Sequence, residues 1–227
     1  CKNIVFSSSA TIYDSSQKSP LDEQSTLKPV NPYGQTKATV ESILKDLFVS
    51  NNLDWRIISL RYFNPVGAHP SGLLGEDPFE KPNNLFPYLT QVASGRRKEL
   101  KVFGHDWPTK DGTGVRDFIH IMDLAEAHYL ALEYLFNKKE TSIISINIGT
   151  GKGTSVLDLI ETYENVNSCK IPYVFTDRRS GDVAINFAKN DLAISILNWK
   201  PKRSLEDICK DGYNWQKNNP NGYNSSN

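Results

Sequence analysis

Ile4-Val5-Phe6 runs into Ser7-Ser8-Ser9-Ala10-Thr11, and Tyr33-Gly34-Gln35-Thr36-Lys37 opens a helical pattern directly behind Pro32. The apolar run predicts a buried parallel strand over residues 3–9 whose C-terminal tip delivers Ser9. Proline suits the first turn of a helix, so the spacing predicts a helix over residues 33–50. Side chains four apart share a helix face, which puts the Lys37 ammonium beside the Tyr33 phenol. A phenol is ordinarily too weak an acid to act as a base near neutrality, and a neighbouring ammonium favours its phenolate form. Ser9 then stands where it can relay a proton to Tyr33, a general base with a shuttle.

The Tyr-x-x-x-Lys spacing alone carries little weight, because Tyr134 with Lys138 and Tyr213 with Lys217 repeat it. No serine-tipped strand precedes either copy, and both are expected on solvated helix faces. Context comes from the next strand, residues 55–62, which passes into Tyr62-Phe63-Asn64-Pro65-Val66-Gly67-Ala68-His69-Pro70. Further along stand Asn83-Asn84-Leu85, then Asp111-Gly112-Thr113-Gly114-Val115-Arg116-Asp117, then Arg178-Arg179-Ser180-Gly181-Asp182.

In that order these motifs resemble the extended short-chain dehydrogenase/reductase family and, within it, the nucleotide-sugar 4-epimerases, from the first residues to the Asn219-Pro220-Asn221-Gly222-Tyr223 tail. The resemblance implies NAD as cofactor and a UDP-sugar as substrate. UDP-glucose and UDP-galactose would be interconverted by oxidation at C4, turning of the 4-keto sugar and re-reduction. It makes Tyr33 the base and Ser9 the relay, has Lys37 tune Tyr33 and bond the nicotinamide ribose, and sets Phe63 against the nicotinamide. The substrate diphosphate falls to Arg116 and Arg179, whose guanidinium forks suit phosphate oxygens. Asn64, Asn84 and the Leu85 backbone are implied for phosphate or sugar, Lys101, Val102 and Phe103 for the uracil, and Asp182 for the uridine ribose. Asn186 stands where many relatives carry tyrosine, which suggests room for a 2-acetamido group on the sugar. For Arg116-Asp117 and Arg179-Asp182 the competing explanation is surface ion pairing.

Other readings remain open. A reductase, a UDP-GlcNAc 4-epimerase or a decarboxylase of the same family shares most of these motifs. A 4,6-dehydratase needs an Asp-Glu pair where Ala10-Thr11 follow Ser9, and is disfavoured. Family members begin with a strand and a Gly-x-x-Gly-x-x-Gly turn that anchors the cofactor pyrophosphate, and this sequence opens instead at Cys1 on the serine strand. The leading βα units are therefore expected to be missing, and a non-catalytic nucleotide-sugar-binding fragment with an unpaired apolar sheet edge is the alternative. Ile148-Gly149-Thr150-Gly151-Lys152-Gly153-Thr154-Ser155 mimics a phosphate loop but fits neither phosphate-loop spacing. It is expected to be a tight turn with Thr154 or Ser155 as helix N-cap.

Alternating strands and helices predict the C-terminal part of a doubly wound, Rossmann-like parallel sheet with a smaller mixed α/β substrate lobe. Residues 1–64 are assigned to the NAD domain and 65–227 mainly to the UDP-sugar lobe, with 117–148 packing back on the former. Helices are expected over 85–95, 123–136, 155–166 and 205–216, and strands at 100–103, 143–148 and 171–175. Leu124, Ala127, Ala131, Leu132 and Leu135 form the apolar stripe of the second helix. Residues 14–32 form a polar loop able to cover the site, and 65–84 a long ordered loop of the kind that is usually functional.

The 227 residues carry 26 basic and 26 acidic side chains, a balance that implies no general attraction to nucleic acid or membrane. No apolar run is long enough to span a bilayer. Three scattered cysteines, Cys1, Cys169 and Cys209, fit reduced thiols in a cytoplasmic protein. His69, His105, His120 and His128 lack ligand spacing, so no metal is expected. A homodimer is what the family resemblance implies. Only the Asn/Ser tail is of low complexity.

Overall fold

The computed structural model describes residues 1–50, 54–78 and 80–224; the low-complexity tail beyond Asn224 lies outside the described residues. In chain order the elements are β1 (Asn3–Ser9), α1 (Pro32–Ser50), β2 (Arg56–Tyr62), β3 (Asn64–Val66), α2 (Leu85–Ala93), β4 (Leu100–Phe103), β5 (Val115–Arg116) and β6 (Phe118–His120). Then follow α3 (Ile121–Asn137), β7 (Ser142–Ile148), β8 (Thr154–Ser155), α4 (Val156–Asn167), β9 (Tyr173–Thr176), β10 (Ile185–Asn186), α5 (Asp191–Leu197) and α6 (Leu205–Asn218).

The main sheet is parallel, in the order β1-β2-β7, with Ser9 opposite Tyr62 and Tyr62 opposite Ile148. Side chains alternate across each strand. On one face Ile58, Leu60, Ile146 and Ile148 pack against Leu124, Ala127, Ala131 and Leu135 of α3 and against Ala193, Leu197 and Trp199. The other face is polar under α1: Ser8, Arg61 and Ser145 all bond to Glu41. The result is the α/β, Rossmann-like architecture anticipated from the strand and helix alternation.

A second core joins α2, α4 and α6 through Phe86, Leu89, Leu159, Tyr163 and Ile208, all buried. Beside it lie the parallel pairs β4-β9 and β3-β6 and the small sheet β10-β5-β8.

Two apolar expectations fail. Leu132 is 41% exposed, because one more apolar position widens the α3 stripe past the edge of the sheet. Tyr213 does not lie on a solvated face; its ring meets Tyr163 edge-on at 6.1 Å against the second core. Tyr134 and Lys138 do pair locally, Nζ donating to the phenol oxygen at 3.0 Å.

The 149–155 turn is held by protein rather than open to a ligand. The amides of Thr150 and Gly151 and the Thr150 hydroxyl donate to the buried Asp117 carboxylate at 2.8, 3.1 and 2.6 Å, and Ala188 adds its amide at 3.1 Å. Ser155 caps α4, its Oγ accepting from the Asp158 amide at 3.0 Å.

Candidate functional site

Strand β1 ends at Ser9, which is 6% exposed and caps the single 3-10 turn Ala10–Ile12. Its Oγ accepts from the Thr11 amide at 3.2 Å and from the Thr11 hydroxyl at 3.0 Å. A hydroxyl that accepts in this way keeps its own proton to donate. Helix α1 starts against the same turn because Gly34 allows it: a Cβ there would stand 2.6 Å from the Thr11 carbonyl oxygen. The Asn31 side chain accepts from the Gly34 amide at 2.8 Å and fixes the helix entry.

One residue before that close approach, Tyr33 is 55% exposed. Lys37 lies one turn on, its Nζ 5.4 Å from the Tyr33 ring centre and donating to the Ser7 carbonyl at 2.9 Å. Ser9 thus stands at the carboxyl end of β1, the end where ligands bind in open α/β sheets, and Tyr33 and Lys37 lie on the helix that starts against the turn Ser9 caps.

Beside them lies a cavity of about 230 Å³, lined by Thr11, Asn31, Phe63, Asn64 and Asn186 among others. Asn64, Arg116 and Asp182 also line a second cavity of about 640 Å³, so the two share a wall. The larger one receives Asn84 and Leu85 from the start of α2, Lys101, Val102 and Phe103 from β4, and Arg179 from the loop after β9. All ten residues assigned to substrate therefore line one cavity or the other. The three assigned to proton transfer line neither, though Ala10 and Thr11, directly after Ser9, and Asn31, two residues before Tyr33, line the smaller one.

The arginines are pre-set. Arg116 donates from Nη1 to the Val115 and Val183 carbonyls at 2.9 and 2.8 Å and faces Asp182 at 3.8 Å. Burial pulls its pKa below the usual arginine value, and the Asp182 charge opposes this. Arg179 lays its guanidinium 3.8 Å from the Phe103 ring centre and donates to the Asn83 carbonyl at 3.1 Å. Among the described residues neither Arg116 with Asp117 nor Arg179 with Asp182 is an ion pair; Asp182 pairs with Arg116 instead.

Sequence reasoning passed over Tyr88 and Trp107, which line the larger cavity. Trp107 fits under Gly104, where φ is +80° and a Cβ would fall 2.3 Å from the indole nitrogen. The glycines around it were the available signal. Among the described residues no group of three or more His, Cys, Asp and Glu is placed to hold a metal, and no helix is long and apolar enough to cross a membrane.

Comparison with known proteins gives a consistent result. Residues 1–149 match the NAD dependent epimerase/dehydratase family. The chain is 53% identical over 226 residues to UDP-glucose 4-epimerase 2 of Arabidopsis thaliana, covering all of this chain and 64% of that protein. To UDP-glucose 4-epimerase of Bacillus subtilis it is 52% identical, covering 99% of the chain and 66% of the relative. The chain thus spans about two thirds of these relatives. A UDP-glucose 4-epimerase from Stenotrophomonas maltophila, solved with NAD and a formylated UDP-arabinopyranose, superposes with a TM-score of 0.92 at 46% identity, over 96% of this chain and 64% of that one. One from Bifidobacterium longum, in complex with NAD+ and UDP, gives 0.92 at 45% identity over 98% and 65%.

Proposed function

The chain belongs to the NAD dependent epimerase/dehydratase family, and from that premise we propose that the protein containing it interconverts UDP-glucose and UDP-galactose. The observation that carries this reading is the pair of wall-sharing cavities, the smaller lined by Ala10 and Thr11, which follow Ser9, and by Asn31, two residues before Tyr33, and the larger by Arg116 and Arg179. A proton-transfer site beside a di-cationic cavity suits a sugar joined to a diphosphate.

The residues present fit the nicotinamide end of NAD. An ammonium has three donors, and Lys37 commits one to Ser7, leaving two for ribose hydroxyls. Phe63 offers an apolar surface at the cavity wall. NAD, when bound, supplies the acceptor and later the donor of hydride at sugar C4.

Tyr33 takes the proton of the 4-hydroxyl, Ser9 bridges the two oxygens, and Lys37 stabilises the phenolate. The proton returns by the same route and C4 regains the hydride it lost, so the reaction leaves no net oxidation. Arg116, Arg179 and Asp182 hold the nucleotide end while Asn64 and Asn186 leave the sugar room to turn. Firm grip on a remote group with few contacts at the reacting one directs binding energy to the transition state. In this reading residues 1–64 belong to the NAD domain and 65–227 mainly to the UDP-sugar lobe, with α3 and β7 returning to the sheet of the former and β6 pairing with β3 beside it.

The test is conversion of UDP-galactose by the whole natural polypeptide that contains this sequence. Tyr33→Phe should lower kcat by about 10²–10⁴-fold. Undiminished turnover in that variant would remove Tyr33 from the chemistry. The reading extends to a cytoplasmic homodimer: the three cysteines are free thiols, and Ile43 and Val49 on α1 are exposed apolar side chains that a second copy would cover. Light scattering reporting a monomer at micromolar concentration would end the dimer.

A further inference from the structure

We propose that the C-terminal segment latches the nucleotide cavity: Tyr223, resting on Trp215, fixes the loop that carries Glu76 and Asn84, and is a positioning residue for the UDP end of the substrate. This rests on the functional reading above.

Three consecutive loop residues are each held from the C-terminal side. The Tyr223 hydroxyl donates to the Gly75 carbonyl and accepts from the Gly75 amide, both at 3.1 Å. The Trp215 indole of α6 donates to the Glu76 carbonyl at 3.4 Å. The Tyr223 amide donates to the Asp77 carboxylate at 3.0 Å. The Trp215 and Tyr223 rings lie 4.6 Å apart, and Trp215 is 3% exposed.

Two glycines make so close a fit possible. A Cβ on Gly75 would stand 2.2 Å from Trp215, and one on Gly222, where φ is +76°, would stand 2.0 Å from the Asp77 carboxylate. Both places exclude a side chain, so loop and tail are shaped to each other.

From the latch a single side chain leads to the cavity. Asn84 stands beside the Glu76 carboxylate and opposes the rise in pKa that burial gives it. Asn84 stands at the N-cap of α2 without bonding the helix, and its side chain lines the larger cavity. Next to it the Asn83 carbonyl accepts from Arg179. Fixing residues 75–77 therefore orders Asn84 and, through Asn83, one of the two arginines. Tyr223 itself lines neither cavity and is 52% exposed, so it acts only through the loop.

The experiment is UDP titration calorimetry on the whole natural polypeptide containing this sequence, with thermal melting as a control on folding. Tyr223→Ala is expected to weaken UDP binding about fivefold to tenfold, the equivalent of one or two lost hydrogen bonds. KM for the UDP-sugar should rise with kcat unchanged. Tyr223→Phe keeps the ring on Trp215 and loses the two bonds to Gly75, so it should fall between wild type and Tyr223→Ala. Wild-type affinity in both variants, with intact melting, overturns the latch and leaves the functional reading standing. A fall in kcat with KM unchanged overturns it as well. Absence of UDP binding by the wild-type protein overturns both.

Discussion

Arg61 reaches from β2 to both carboxylate oxygens of Glu41 on α1, Nε to Oε1 at 3.0 Å and Nη2 to Oε2 at 2.6 Å, with both side chains under a tenth exposed. Ser8, directly before Ser9, donates to the same carboxylate at 2.5 Å, and Arg61 also donates to the Tyr13 hydroxyl at 3.0 Å. Burial works against the Arg61 charge, yet Glu41 and Tyr13 hold its pKa above the usual arginine value. Burial also pushes the Tyr13 phenol up to about 12. Glu41 lies one helical turn past Lys37, so the ion pair ties the helix bearing Tyr33 and Lys37 to β2, and the Ser8 hydrogen bond ties it to β1, the strand that ends at Ser9.

Removing one partner leaves the other charge buried and unpaired, which costs about 3–5 kcal/mol. Arg61→Met and Glu41→Gln are each expected to destabilise the protein strongly in urea denaturation. The double variant should lose less than the two single losses added together. Additive losses would show that the two residues are not coupled.

His120 gives the fold a pH dependence. The side chain is fully buried, accepts from the Met122 amide at 3.0 Å and faces Asp211 at 3.2 Å, with Arg203 and Asp123 nearby. Burial lowers its pKa below the ordinary 6.5, and the Asp211 contact opposes that. The unfolded chain therefore binds the proton first as pH falls. The stability that neutral His120 contributes is present above pH 6.5 and declines below it, down to the folded-state pKa. His120→Asn keeps a cap for α3 and removes the titration. Between pH 7.5 and 5.5 its unfolding free energy should depend on pH less steeply than wild type, by up to about one bound proton. Equal slopes would contradict this.

Asn186 belongs to the wall of the smaller cavity. It lines that space with Phe63 and Asn64, and its Oδ1 is buried without a hydrogen-bond partner. An acetamido N–H on the substrate would satisfy it. Asn186→Tyr should therefore lower kcat/KM for UDP-GlcNAc relative to UDP-galactose by about tenfold or more. An unchanged ratio would sink the assignment.

The elements that position this site were legible where apolar runs or caps mark them: β1, β2, β4, α1 and the Ser155 cap. Helix α5, of seven residues, was not, because so short a segment shows too little periodicity to stand out. Strands β5, β8 and β10, two residues each, exist only through their tertiary partners. Asp117 illustrates the same limit. Beside Arg116 it resembles half of a surface ion pair, yet it is 0% exposed and its carboxylate accepts from Thr150, Gly151 and Ala188. Only the folded chain brings those donors together.

The most direct test of the catalytic account follows one atom. UDP-galactose carrying deuterium at sugar C4, turned over in ordinary water by the whole natural polypeptide containing this sequence with NAD, should give UDP-glucose with the deuterium still at C4. No reduced cofactor should build up, because Tyr33 handles only the hydroxyl proton and the C4 hydrogen goes back where it came from. Loss of deuterium to water, or an oxidised sugar accumulating with reduced cofactor, would contradict the account.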